Sequence, residues 1–82
     1  MPLHIATEHG HTKTVSILIE KGAKLNEKSK RGNTSLHDAV IQEHTDIVNI
    51  LVNAGTRKNI KNNDGRTSLY LAQTEAIKAL LK

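Results

Sequence analysis

Pro2–His11 reads PLHIATEHGH, and Ser35–His44 reads SLHDAVIQEH. The leucine, the histidine and the alanine return at the same places, 33 residues on, and so does the pair His11-Thr12 as His44-Thr45. The same offset aligns Leu3, Leu36 and Leu69, then Ala6, Ala39 and Ala72, then Gly32 with Gly65 and Thr34 with Thr67. Val15 meets Val48, Leu18 meets Leu51, Gly22 meets Gly55 and Asn26 meets Asn59. So many coincidences at one spacing define a repeat. A fixed period of about 20–50 residues signals a stacked array, in which no unit buries its apolar face alone.

Each unit reads as two short helices followed by a long polar turn. Thr34 is placed to cap the first helix of the second unit, and Leu36, Ala39 and Val40 share a face at i, i+3, i+4. After a break at Glu43-His44, the second helix carries Ile47, Val48, Leu51 and Val52 as its buried stripe. Thr45 reads as its cap and Asp46 falls in its first turn, where the helix dipole favours a negative charge. Gly55 is the left-handed residue that ends it. Val15, Leu18, Ile19 and Gly22 do the same in the first unit. The segments KLNEKSKRGN (24–33) and RKNIKNNDGR (57–66) are too polar for a core, and each has a glycine at a turn position, as a two-strand finger between helix pairs needs.

Composition agrees with an all-α stack and excludes several alternatives. The 82 residues contain no Phe, Trp or Cys, and Tyr70 is the single aromatic, so the core must be Ile, Leu, Val and Ala. That palette suits closely packed short helices better than a β-sandwich. Without cysteine there is no disulfide framework and no thiolate zinc site, which fits a reducing, intracellular compartment. No apolar run approaches the ~18–20 residues of a membrane span.

PLHIA and TSLHDA, spaced by 33 and followed after the second helix by Gly22-Ala23 or Gly55-Thr56, resemble ankyrin repeats. The resemblance covers nearly the whole chain. It implies a solenoid of paired antiparallel helices with β-hairpin-like finger loops, in three units of about residues 1–28, 29–61 and 62–82. There are departures. Ser35 and Ser68 stand where the family has proline, Glu43 where it has the glycine matched by Gly10, and Tyr70 where it has histidine. The first unit has no finger before it in this sequence. In the third, Ala72 and Ile77 are five residues apart where Ala6 and Val15 are nine apart. Four missing residues are about 400° of helix, a turn and a little more, so Ile77, Leu80 and Leu81 still face the stack. The irregular ends fit either a small array with a shortened last unit or a piece of a longer one.

The recurring histidines invite a metal or a general-base reading, but zinc needs three or four ligands converging on one point. Recurrence at 33 puts His4 and His37 on separate units instead, and in ankyrin repeats such a histidine bonds to loop backbone and fixes the finger against the helices. His9, His11 and His44 read as solvated. No Ser-His-Asp context surrounds any serine, and NNDGR (62–66) is an Asp-Gly turn with no glycine-rich run leading to Lys-Ser/Thr. The sequence therefore carries no catalytic residue, cofactor site or metal site.

The resemblance implies a binding surface on the finger tips and the exposed side of the first helices. It selects Glu8 and His9 from the first unit, Lys28, Lys30, Arg31 and Asn33 from the first finger, and Ile41 and Gln42 from the helix that follows. Lys61, Asn63, Asp64 and Arg66 complete it from the second finger. Lys24, Lys28, Lys30, Arg31, Arg57, Lys58, Lys61 and Arg66 place eight of the twelve basic residues in the two segments, opposed there by Glu27 and Asp64. These bases fit either solvated finger loops, where Lys also protects exposed strand edges, or a basic strip that draws a protein or peptide partner with acidic groups. A polyanion such as nucleic acid or anionic lipid is the alternative for the same strip, disfavoured for single strands by the lack of stacking aromatics. Self-association through uncapped end units, in a natural or an engineered fragment, is a third reading.

Overall fold

The computed structural model describes residues 2–82, and its element order follows the repeat. Three helix pairs run α1 (Pro2–Glu8) with α2 (Thr12–Glu20), α3 (Ser35–Ile41) with α4 (Thr45–Asn53), and α5 (Ser68–Leu71) with α6 (Glu75–Leu81). The inner helices stack α1 on α3 and α3 on α5, and the outer ones stack α2 on α4 and α4 on α6. Among the described residues there are no strands, so the expected all-α solenoid stands and the fingers are closed by turn hydrogen bonds without a ladder.

Three of the helix starts are set by threonines. Thr34 accepts from the His37 N–H, Thr67 from Tyr70 N–H and Thr74 from Ile77 N–H, each satisfying a first-turn amide with no partner inside the helix. Thr45 does not act this way. It is the first helical residue of α4, His44 precedes it in the cap position, and no side chain caps that terminus. Helix ends are set by backbone handedness: Gly10, Gly22 and Gly55 have φ of 73°, 85° and 92°. At the place matched by Gly10, Glu43 is forced to φ 57°, the one described non-glycine residue at positive φ.

The core is continuous across all three pairs. Leu36, Ala39, Val48, Leu51, Val15 and Ile77 are fully buried, and Leu18, Ile19, Val52 and Leu80 pack at its edge. The shortened third pair loses its residues from the inner helix. Where α1 and α3 each have seven residues, α5 has four, and Ala72 leaves it in extended backbone. The outer helix is kept, and Ile77 and Leu81 reach the core across the extended break at Ala72–Thr74, not by the continuous helical turn that the arithmetic assumed. Leu69 breaks the pattern of its equivalents: Leu3 and Leu36 are buried, but Leu69 is 38% exposed, because no described helix pair packs over that side of α5.

Candidate functional site

The fingers are built alike and fastened to one another. Ser29 N–H donates to Asn33 O at 2.8 Å and Gly32 N–H to Ser29 O at 2.8 Å. Thirty-three residues on, Asn62 N–H donates to Arg66 O and Gly65 N–H to Asn62 O, both at 2.9 Å. Asn62 Oδ1 also accepts from the Asp64 and Arg66 amides, stiffening the second tip. Between fingers, Asn63 N–H reaches Arg31 O at 3.1 Å, Asn63 Nδ2 donates to Lys30 O at 2.8 Å, and Asn62 Nδ2 donates to Asn33 Oδ1 at 3.0 Å. At their base, Asn26 Oδ1 accepts from Thr56 Oγ1 and Arg57 N–H.

The repeated histidines tie these fingers to the inner helices. His4 Nε2 lies 3.1 Å from Asn33 O, and His37 Nε2 lies 2.9 Å from Arg66 O. In each case the carbonyl belongs to the finger that follows, 29 residues on. His37 Nδ1 accepts from the Thr34 N–H, so its proton is on Nε2 and the ring is neutral. Burial holds its pKa below the ordinary histidine value, against the upward pull of the Arg66 and Ile60 carbonyls. His44 is not merely solvated: its Nε2 is 3.3 Å from Glu8 O, and its ring sits against Gly10. His9 remains exposed, its ring 5.8 Å from that of His11 and its Nδ1 3.2 Å from Ile5 O. Among the described residues no group of three or more His, Cys, Asp or Glu could hold a metal ion.

Between the fingers and the inner helices runs a groove of two adjoining clefts. The first, about 420 Å³, lies between α1 and α3 and is lined by His4, Glu8, Ser29, Lys30, Arg31, Asn33, Asp38, Ile41 and Gln42. The second, about 390 Å³, lies between α3 and α5 and shares Lys30, Arg31, Asn33 and Ile41, adding Asn62, Asn63, Asp64 and Leu71. Eight of the twelve residues selected from the sequence thus line the groove: Glu8, Lys30, Arg31, Asn33, Ile41, Gln42, Asn63 and Asp64. Ile41, 49% exposed, is the ridge between the clefts. His9, Lys28, Lys61 and Arg66 lie outside it, and Arg66 instead stacks on Tyr70, 4.6 Å from the ring centre. Asn33 and Asn63 line the walls, with Asn33 Oδ1 and Asn63 Nδ2 engaged in the finger contacts above.

Sequence reasoning missed two groove residues, Asp38 and Leu71. Both follow the repeated histidine position, as Ile5 does, so the 33-residue register contained the signal. Asp38 is the polar exception in that set. Burial raises its carboxyl above the ordinary aspartate range; His4 and Arg31 pull it down, and Glu8 pushes it up.

The family model for ankyrin repeats matches residues 1–62. A Rickettsia bellii (strain RML369-C) protein named for ankyrin repeats is 50% identical over 36 residues, which are 44% of this chain and 15% of that protein. The crystal structure of the ankyrin repeat domain of Bcl-3, of the IkappaB protein family, superposes with a TM-score of 0.96 at 28% identity. That match covers 99% of this chain and 36% of the Bcl-3 chain. The chain thus spans well under two thirds of the length of either protein. No helix among the described residues is long and apolar enough to cross a membrane. A 33-residue register, helix pairs stacked in two layers, and histidines that bind each following finger all agree with the matched model: this chain belongs to the ankyrin repeat family.

Proposed function

We propose that this chain is a non-enzymatic module that presents the two-cleft groove to a protein or peptide partner. Ankyrin repeats are in general protein–protein interaction modules, and the groove is where this chain offers a partner rigid walls. The observation that carries the reading is the stapling of the fingers. Asn62, Asn63, His4 and His37 hold the loops in place before any partner arrives, so little ordering cost is left for binding. Ile41 supplies an exposed apolar ridge at the centre, ringed by polar groups, the arrangement expected of an interface anchor.

The finger wall carries Lys30 and Arg31 into both clefts, which favours a partner with acidic groups on the side that meets the fingers. The test uses a partner captured with the chain as bait and then purified. Reversing Lys30 and Arg31 to Glu is expected to slow association and flatten its salt dependence, with a smaller effect on dissociation. Ile41→Ala is expected to act chiefly on dissociation. If Lys13→Glu and Asn49→Ala on the outer helices abolish binding while these groove variants do not, the functional face is the outer one and the reading fails.

A further inference from the structure

The two clefts share a wall but differ in what else lines them. Two carboxylates from the inner helices, Glu8 and Asp38, face the first cleft. Ile41 stands between the clefts, and the second adds the aliphatic Leu71 on its far side. Asp38 is half-buried, and its carboxylate makes no hydrogen bond or ion pair among the described residues. A carboxylate taken partly out of water without a cationic partner is unfavourable, and a partner that supplies one recovers that free energy.

Arg31 and Lys30 line the same cleft without filling this role. Both are exposed, so their head groups sit in water, where salt screens them. Burial disfavours the Asp38 charge more than His4 or Arg31 favours it. The carboxylate is therefore under-compensated, and the basic finger wall does not describe the whole recognition surface.

We infer that the groove takes a peptide segment with an arginine or lysine seated against Asp38 and Glu8, and an aliphatic residue seated over Ile41 and Leu71. The spacing follows from the stack. The first cleft lies between α1 and α3 and the second between α3 and α5, so their centres are one helix step apart, about 8–10 Å. An extended peptide advances about 3.3 Å per residue, which puts the basic and aliphatic residues two to three positions apart. Acidic residues in the same segment fall against Lys30 and Arg31. This inference rests on the groove being the binding face, and it makes the recognised sequence bipolar.

A display library of random dodecapeptides selected on the folded chain tests it, followed by fluorescence-anisotropy titration of the enriched peptides. The expected result is enrichment of a basic residue two or three positions from Leu, Ile or Val. Replacing that basic residue by Gln in the peptide, or Asp38→Asn in the protein, is expected to weaken binding by about tenfold or more. Selection on the Asp38→Asn variant is expected to lose the basic preference and keep the aliphatic one. Helical circular dichroism of that variant confirms that its fold is intact. Enriched peptides that are weakened by Ile41→Ala and Arg31→Glu but indifferent to Asp38→Asn would overturn the bipolar motif and leave the groove standing. Peptides indifferent to all three substitutions, or no enrichment at all, would overturn both.

Discussion

The Nε2 of His37 sits 2.9 Å from the carbonyl oxygen of Arg66 while its Nδ1 accepts the N–H of Thr34 at 3.1 Å. One ring thus caps its own helix and holds the next finger. The arrangement requires the neutral imidazole with its proton on Nε2, since a protonated Nδ1 could not accept from Thr34. Burial enforces the same state by lowering the ring's pKa.

That ring makes stability sensitive to mild acid. Its folded pKa lies below the unfolded value of about 6.5, so the unfolded chain binds the extra proton in the window between them. The His37 contribution is fully present above the unfolded pKa and is lost as pH falls through the window. Denaturant midpoints are expected to fall between pH 7.5 and pH 5.5, and to fall less in His37→Gln. Equal falls in both proteins would show that His37 is not held neutral. His37→Ala is expected to cost about 1–3 kcal/mol at neutral pH, because it leaves the Thr34 N–H and the Arg66 carbonyl without their partner.

The finger contact separates two glycines that look equivalent in sequence. Gly32 and Gly65 have φ of 78° and 75°. A Cβ on Gly32 would lie 2.6 Å from Asn63 N, whereas one on Gly65 would meet nothing within 4 Å. Gly65→Ala is expected to cost only the left-handed penalty of about 1–2 kcal/mol. Gly32→Ala is expected to cost clearly more and to loosen the fingers, seen as faster amide exchange at Asn63. Matching costs in urea titrations would mean that the fingers are not in contact.

Leu36 and Leu69 make the corresponding test of the core. Leu36 is fully buried and Leu69 is 38% exposed, although both occupy the same place in the repeat. Leu36→Ala is expected to destabilise by about 2–5 kcal/mol, as is Leu51→Ala, whose side chain is also fully buried. Leu69→Ala is expected to cost less than about 1.5 kcal/mol, since much of its side chain is already in water. Equal losses at 36 and 69 in denaturant titration would contradict the stack.

Glu43 offers a gain instead of a loss. Its φ of 57° is one that an L side chain adopts only with strain, and Gly10 at the matching place adopts 73° without it. Glu43→Gly is expected to stabilise by about 0.5–1 kcal/mol, the relief of strain exceeding the added freedom of the unfolded chain. A lower melting temperature in the variant would show that the Glu43 side chain contributes more than its backbone costs.

The order of the helices, the threonine cap at Thr34 and the glycines at Gly22 and Gly55 follow from short-range rules, although the same rule misplaced a cap at Thr45. A hydroxyl three residues before an amide, an i, i+3, i+4 stripe and a glycine after the last turn lie within one stretch of chain. The repeat then multiplies each signal, which is why the fold could be read from the 33-residue register. The register gives the place of Asp38, but the roles of Asp38, His44, Asn63 and Leu69 could not be read so, because each depends on neighbours from another unit. Asp38 becomes an under-compensated charge only when α1 and the first finger close around it. His44 becomes a contact only when the end of α1 reaches it. Asn63, a candidate binding residue that lines the groove, is also a staple because Lys30 and Arg31 present their carbonyls to it. Leu69 differs from Leu36 in what packs over it and in sitting on a helix of four residues instead of seven. Local sequence determined each unit; burial, pairing and charge compensation were decided by the stacking of one unit on the next, because those quantities belong to the interface between units.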